Sequence, residues 1–128
     1  MRRLLLDTHV LLWWLADDPR LGGKASAAIR EGKNQVYVSA ASAWEASIKK
    51  ALGKLEMPED LDNIVEDERF LKLPISFYHG QVAGQLPPHH RDPFDRMLVA
   101  QAQTEGLTIV TADADIALYD VKVIKADS

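Results

Sequence analysis

Four acidic residues lie where the sequence predicts that strands end or helices begin. Asp7 closes an apolar run near the start of the chain, and Asp113 follows another apolar run near its end. Glu45 lies six residues beyond a β-branched stretch, and Asp95 falls in the first turn of a predicted helix. Ligands bind at the carboxyl edge of parallel sheets, so these four carboxylates could meet at one site.

Such a group of acids has a definite chemistry. Inward-pointing carboxylates are costly and repel one another unless a cation neutralises them. The chain has no cysteine, so the metal ligands on offer are oxygen or imidazole. An all-oxygen site selects Mg²⁺ or Mn²⁺, ions that pair with substrate phosphates. The expected reaction is hydrolysis of a phosphodiester by a metal-activated water held by the acidic cluster.

Each acid also has a purely structural explanation. Ser42 and Glu45 match the spacing of a capping box at a helix start. Asp7 and Asp113 could each cap the helix or turn that follows. Taken singly, each acid favours the structural interpretation. The case for a site depends on all four together.

Two aspartates near the start of one helix need to be separated. Asp92 suits the N-cap, because Pro93 then takes the first helical position, where its missing N–H costs nothing. Asp95 lies on the same helix stripe as Leu98 and Val99, which is the face expected to be buried. The sequence therefore predicts that Asp92 begins the helix and that Asp95 points toward the site.

The elements that must position these acids alternate along the chain. Period-2 and β-branched runs predict strands, and capped periodic runs between them predict helices. This order indicates an α/β fold with three layers, α/β/α, in which helices flank a central parallel sheet. The predicted strands are 2–7, 35–39, 69–75, 107–111 and 121–126. The predicted helices are 8–18, 24–32, 40–54, 58–68, 76–86 and 91 to about 106, with a helical turn at 113–119.

Length and composition limit the class of protein. The 128 residues suit a single domain, 1–128, and 47% hydrophobic with 27% charged residues is ordinary for a globular chain. No apolar run is long enough for a membrane span, and Asp7 and His9 interrupt the only stretch resembling a signal peptide. The absence of cysteine suits a reducing cytoplasm. The net charge of −4 argues weakly against a nucleic-acid partner, unless many acids serve a cation.

Three phrases in this order resemble one known family. "DTHVLLW", "SAASAWE" and "DPFDRMLVAQA", followed by "IVTAD", are similar to PIN-domain ribonucleases of the VapC toxin type, found in prokaryotic toxin–antitoxin pairs. The resemblance extends over nearly the whole chain. It implies a PIN-like fold and a Mg²⁺- or Mn²⁺-dependent endoribonuclease that leaves a 5′-phosphate and a 3′-hydroxyl.

The resemblance also implies roles for individual residues and partners. Its four catalytic and metal-binding acids fall on Asp7, Glu45, Asp95 and Asp113. Thr111 would steady the last acid, with Asp115 as an auxiliary ligand and Asp92 as the helix cap. The implied partners are an RNA substrate, a small antitoxin protein that can insert a basic side chain among the acids, and a second copy of the chain.

Several basic residues near the acids are ambiguous. Lys49 and Arg96 are candidates for contact with RNA phosphates. A solvated helix face explains Lys49 equally well, and Arg96 could instead pair with Asp92 one turn back. His89 and His90 follow a Pro-Pro turn, a setting more typical of an exposed loop than of a metal ligand or general base.

Other functions stay open at this point. An aspartyl-phosphate phosphatase would need a second acid directly after Asp7, where the sequence reads Asp7-Thr8-His9. A receiver-like module would need an acceptor aspartate after the strand 35–39, which ends in serine. A PIN-like domain with a housekeeping RNA-processing role, or one that only binds a partner, is the remaining alternative.

Overall fold

The computed structural model describes residues 1–128 and contains the predicted alternation of strands and helices. Its strands are β1 (Arg3–Leu6), β2 (Gln35–Ser39), β3 (Leu71–Leu73), β4 (Thr108–Thr111) and β5 (Val123–Lys125). Its helices are α1 (Thr8–Leu15), α2 (Gly23–Arg30), α3 (Ala40–Ala51), α4 (Leu61–Asp67), α5 (Phe77–Gln85) and α6 (Pro93–Glu105), with a short 3₁₀ helix at Ile116–Leu118. No helix in the structure has both the length and the apolar character needed to cross a bilayer.

The five strands form one parallel sheet in the order β3-β2-β1-β4-β5. β1 is central: its Leu6 lies opposite Val38 of β2 on one side and Val110 of β4 on the other. After β1 the chain adds β2 and β3 on one side of it, and later adds β4 and β5 on the other side. This reversal opens a crevice at the carboxyl ends of β1, β2 and β4, where a ligand site is expected.

Apolar side chains cover both faces of the sheet. Leu4 and Leu6 point into a cluster with α1, α2 and α4, whereas Leu5 points into a second cluster that includes Leu98 and Val99 of α6. The alternation follows from the two-residue period of a strand. The predicted three-layer α/β/α architecture is confirmed.

The helix starts largely agree with the sequence, whereas α1 and α3 end three residues earlier than predicted, at Leu15 and Ala51. Asp92 caps α6 with Pro93 at its first position, as predicted, and α6 ends at Gly106, whose φ of 69° is in the left-handed region that favours glycine. The predicted capping box of Ser42 with Glu45 is wrong. Ser39 caps α3 instead, accepting from the Ala41 N–H, because the helix starts directly where β2 ends. The predicted helix at Pro58 begins later, at Leu61.

Candidate active site

The four predicted acids all lie at the carboxyl edge of the sheet. Asp7 follows β1 directly and caps α1, and Asp113 comes two residues after β4. Glu45 projects from the second turn of α3, which follows β2, and Asp95 from the first turn of α6. We call these four residues the acidic edge. The structure brings them near enough for their charges to act on one another, since Glu45 and Asp7 both raise the pKa of Asp95.

Asp7 is both a structural cap and a member of the acidic edge. Its Oδ1 accepts a hydrogen bond from the Val10 N–H at 2.8 Å, and its Oδ2 accepts from the Thr111 hydroxyl at 2.5 Å. The residue is only 3% exposed. Burial raises the pKa of this carboxyl, while the Thr111 and Val10 hydrogen bonds oppose the rise.

Thr111 connects two of the acids. Its hydroxyl donates to Asp7 and at the same time accepts from the Asp113 N–H at 3.0 Å. The hydroxyl is buried at the end of β4, where its position is set by the strand. Thr111 therefore orients the first acid as well as the fourth, whereas the sequence suggested only the fourth.

Glu45 carries an unsatisfied oxygen. Its Oε2 accepts from the Lys49 ammonium at 2.9 Å, one turn along α3. Its Oε1 is buried and has no hydrogen-bond partner. A buried carboxylate oxygen without a donor is costly. It is therefore an observation that fits a bound cation.

Asp95 and Asp92 divide their roles as the helix geometry predicts. Asp92 Oδ1 accepts from the Phe94 N–H at 2.8 Å and from the Asp95 N–H at 3.4 Å. The Asp95 side chain instead faces the acidic edge. Burial, followed by the charge of Asp92, raises its pKa to about 7. A cation bound nearby would favour the ionised form and offset this rise.

Asp113 lies in a more polar environment than the other three acids. Its Oδ1 accepts from the Asp115 N–H at 2.8 Å, so it also shapes the turn before the 3₁₀ helix. Burial would raise the pKa of Asp113, but hydrogen bonds from His90 and from the Asp115 N–H keep it below its ordinary value. Asp115 itself is exposed, beside Asp113.

His90 lies inside the site, although its sequence context favours an exposed loop. Its Nε2 is 2.8 Å from Asp113 Oδ2 and 3.1 Å from Asp95 Oδ2. Potential ligand atoms of His90, Asp113 and Asp115 all lie within 4.8 Å of one another. The preceding His89 is exposed and packs edge-on against the Tyr119 ring, as a loop residue would. The signal that separates the two histidines is the spacing of His90, two residues before the helix cap.

Comparison with known proteins decides the family. The model of the PIN domain matches residues 4–122. The chain is 34% identical over 118 residues to Ribonuclease VapC22 of Mycobacterium tuberculosis, covering 88% of each protein. The chain belongs to the PIN-domain family, as a VapC-type member.

Solved structures show the same fold at lower identity. VapBC2 from Rickettsia felis, bound to a promoter DNA fragment, has a TM-score of 0.69 at 16% identity, covering 95% of this chain and 97% of that one. DNA-bound VapBC from Salmonella typhimurium has a TM-score of 0.68 at 18% identity, covering 97% of this chain and 98% of that one. Neither the phosphatase nor the receiver alternative has support from these matches.

The two basic residues predicted to contact RNA, Lys49 and Arg96, have different partners in this PIN domain. Lys49 is half-buried and its ammonium already pairs with Glu45, which raises the pKa of the lysine. Arg96 is turned away from Asp92, so the predicted ion pair is wrong. Its guanidinium donates to the carbonyls of Ala83, Leu86, Pro87 and His90 and to the Tyr119 hydroxyl. These contacts favour a supporting role for Arg96 inside the fold, and its contact with RNA, like that of Lys49, stays a prediction.

Arg96 and Tyr119 together hold the loop that carries His90. The Tyr119 hydroxyl donates to the Pro87 carbonyl at 2.8 Å and accepts from the His90 N–H at 2.9 Å. Arg96 donates to the Pro87 carbonyl from the other side at 3.0 Å. The sequence gives no direct sign of this support, because the partners are backbone groups of a distant loop. It explains why an imidazole is held between two acids.

Proposed function

We propose that this chain is a Mg²⁺- or Mn²⁺-dependent endoribonuclease and the toxin of a VapBC-type toxin–antitoxin pair. The observation that carries the proposal is the acidic edge itself, with a buried Glu45 oxygen lacking any donor and an Asp95 carboxyl whose pKa is raised to about 7. The ribonuclease relative and the VapBC likeness support it. Asp7, Glu45, Asp95 and Asp113 would hold the ion.

The bound cation would supply positive charge for a scissile phosphate and its leaving oxygen, and would acidify water. The chain's own residues supply the orientation. Thr111 and the Val10 N–H fix the two oxygens of Asp7. Asp92 keeps Asp95 at the start of α6 and leaves its carboxyl free for the site. The oxygen donor set suits Mg²⁺ or Mn²⁺.

Proton occupancy belongs to the same proposal. Because its pKa is raised to about 7, Asp95 retains a proton near neutral pH on a substantial fraction of the molecules when no cation is bound. A cation requires the anion, so binding releases that proton. Substitution of Asp95 should therefore give the clearest test of whether these acids bind a cation.

The proposed partners follow the same likeness. An RNA substrate and a small antitoxin fit a VapC-type domain, and a homodimer and Asp115 as an auxiliary ligand stay predictions of this proposal. A cytoplasmic location stays a prediction from the cysteine-free sequence. A housekeeping nuclease, or a domain that only binds a partner, is the alternative, and activity without an antitoxin distinguishes the last of these.

The test is cleavage of a mixed pool of structured RNA in Mg²⁺ or Mn²⁺, with wild type, Asp95→Asn and Asp92→Asn purified side by side without antitoxin. We expect wild type to cut and to leave 5′-phosphate ends, and a chelator to stop it. Asp95→Asn should abolish cleavage, while Asp92→Asn should keep it, because asparagine caps a helix about as well as aspartate does. Equal activity in all three proteins would contradict the proposal.

A further inference from the structure

His90 places an imidazole inside the acidic edge. An imidazole lies between Asp95 and Asp113, two of the four acids proposed to hold the cation. The His90 side chain is only 14% exposed, so it is packed within the site and is not a surface side chain. It is either a further metal ligand or a group that the metal must displace.

The hydrogen bond at the other ring nitrogen separates these two possibilities. The backbone N–H of Asp92 donates to His90 Nδ1 at 3.1 Å. A backbone N–H has no alternative role, so Nδ1 must be the bare, accepting nitrogen. The hydrogen of the neutral ring is then on Nε2, which donates to Asp113 Oδ2 at 2.8 Å and has Asp95 Oδ2 beside it at 3.1 Å.

A metal ligand needs the opposite arrangement. Ligation through Nε2 requires a lone pair there, and the ring hydrogen would move to Nδ1. That hydrogen would point at the Asp92 N–H, so two donors would face each other. The α6 cap fixes this N–H, because Asp92 is itself held at the start of the helix. The observed ring is therefore built to donate to the acids and is not oriented to bind a metal.

We propose that His90 is an internal placeholder, whose Nε2–H donates to Asp113 and lies against Asp95 until a divalent cation displaces it from the two carboxylates. The inference rests on the proposed metal centre. Tyr119 and Arg96 hold the loop in place through hydrogen bonds, and so they keep the His90 ring next to Asp95 and Asp113. Because the two acids must give up this donor, the placeholder weakens cation binding and limits it to ions that compete well for oxygen.

The decisive experiment measures Mn²⁺ affinity by room-temperature electron paramagnetic resonance, which counts free Mn²⁺, in metal-free wild type, His90→Ala and His89→Ala. Hydrogen bonds to charged groups are among the stronger ones, so their loss should let His90→Ala bind Mn²⁺ about tenfold more tightly. His89→Ala is the matched control, since His89 is an adjacent imidazole that touches Tyr119 and no acid. It should bind as wild type does. A role limited to folding would not tighten binding.

A second measurement on unmodified protein covers the case in which His90→Ala folds poorly. Pulsed resonance of Mn²⁺ bound to wild type should show no coupling to a ligated imidazole nitrogen. Unchanged affinity in His90→Ala would overturn the placeholder. So would weaker binding together with a nitrogen coupling that His90→Ala removes, since His90 would then be a ligand.

The same titration separates failure of this inference from failure of the proposed function. Asp95→Asn is included as the variant that should lose Mn²⁺ binding in either case. If wild type binds Mn²⁺ and Asp95→Asn does not, the metal centre stands whatever His90 does. If wild type binds no Mn²⁺ at all, both the metal centre and the placeholder are overturned.

Discussion

Acidic residues occupy two contrasting environments in this PIN domain. On α4, Asp62 and Glu66 are 78% and 61% exposed, and both pair with Lys72 of β3. On the acidic edge, Asp7 and Glu45 are buried, one Glu45 oxygen has no donor, and burial raises the pKa values of Asp7 and Asp95. Water and one lysine are enough for the first group. In the second group, burial disfavours the ionised form of Asp7 and Asp95, which a bound cation would offset, and this distinguishes a candidate site from a solvated surface.

The largest expected effect comes from exchanging one glutamate in each environment for glutamine. Glu45→Gln keeps the size of the side chain but removes a charge proposed to hold the cation, so RNA cleavage should fall at least about 100-fold. Glu66→Gln, on exposed α4, should leave the cleavage rate unchanged. Rates are compared on the same RNA pool at equal protein concentration. A similar loss in both variants would remove the distinction between the two environments.

The next effect concerns the support beneath the acidic edge. Arg96→Ala removes the donors that tie α5, the 87–90 loop and Tyr119 together, and leaves the part-buried carbonyls of Ala83 and Leu86 short of partners. We expect the free energy of unfolding to fall by about 3 kcal/mol, measured by urea denaturation. Arg91→Ala is the matched control, because Arg91 is an exposed residue of the same loop. Its effect should stay within about 0.5 kcal/mol. Equal losses would indicate that the carbonyl contacts of Arg96 are not stabilising.

A smaller effect is expected in the pH dependence of stability of the metal-free protein. Asp95 keeps its proton in the folded state up to about pH 7, whereas its ordinary pKa is 3.8. Between these values the folded state binds the extra proton, so stability falls as pH rises through this window. Urea titrations with a chelator should show this fall in wild type and a shallower one in Asp95→Asn. Asp62→Asn should keep the wild-type slope, and an identical slope in Asp95→Asn would contradict the raised pKa.

The smallest effect should come from the exposed ion pairs themselves. Lys72→Ala breaks the contacts to both Asp62 and Glu66, but exposed pairs contribute little because solvent screens them. The free energy of unfolding should fall by less than about 1 kcal/mol, and by less still in high salt. Thermal denaturation at two salt concentrations measures it. A loss as large as that of Arg96→Ala would mean that exposure does not separate the two environments.

The sequence anticipated most of this architecture because its signals are local. The three-layer α/β/α fold followed from the strand and helix periods. The different roles of Asp92 and Asp95 followed from Pro93 and the apolar stripe of α6. The capping box at Ser42 was a wrong prediction for a local reason as well. The motif matched in spacing, but Ser39 at the end of β2 had already begun the helix.

What the sequence missed depends on contacts between distant segments. His90 looked like an exposed loop residue because its spacing from the helix cap does not report on Asp113, 23 residues away. Arg96 looked like a partner for Asp92, yet its guanidinium bonds to carbonyls of the preceding helix and loop. Thr111 was expected to steady one acid and also bonds Asp7, 104 residues earlier.

The sequence by itself determined which residues are candidates for chemistry: the acid types, their places after strands and at helix starts, and the family they match. Those choices are encoded locally, in periodicity, capping and side-chain type. Only the tertiary structure decided how the acids are satisfied, with one oxygen of Glu45 left without a donor and an imidazole between Asp95 and Asp113. The physical reason is that burial and hydrogen-bond partners depend on groups that folding brings together from distant parts of the chain.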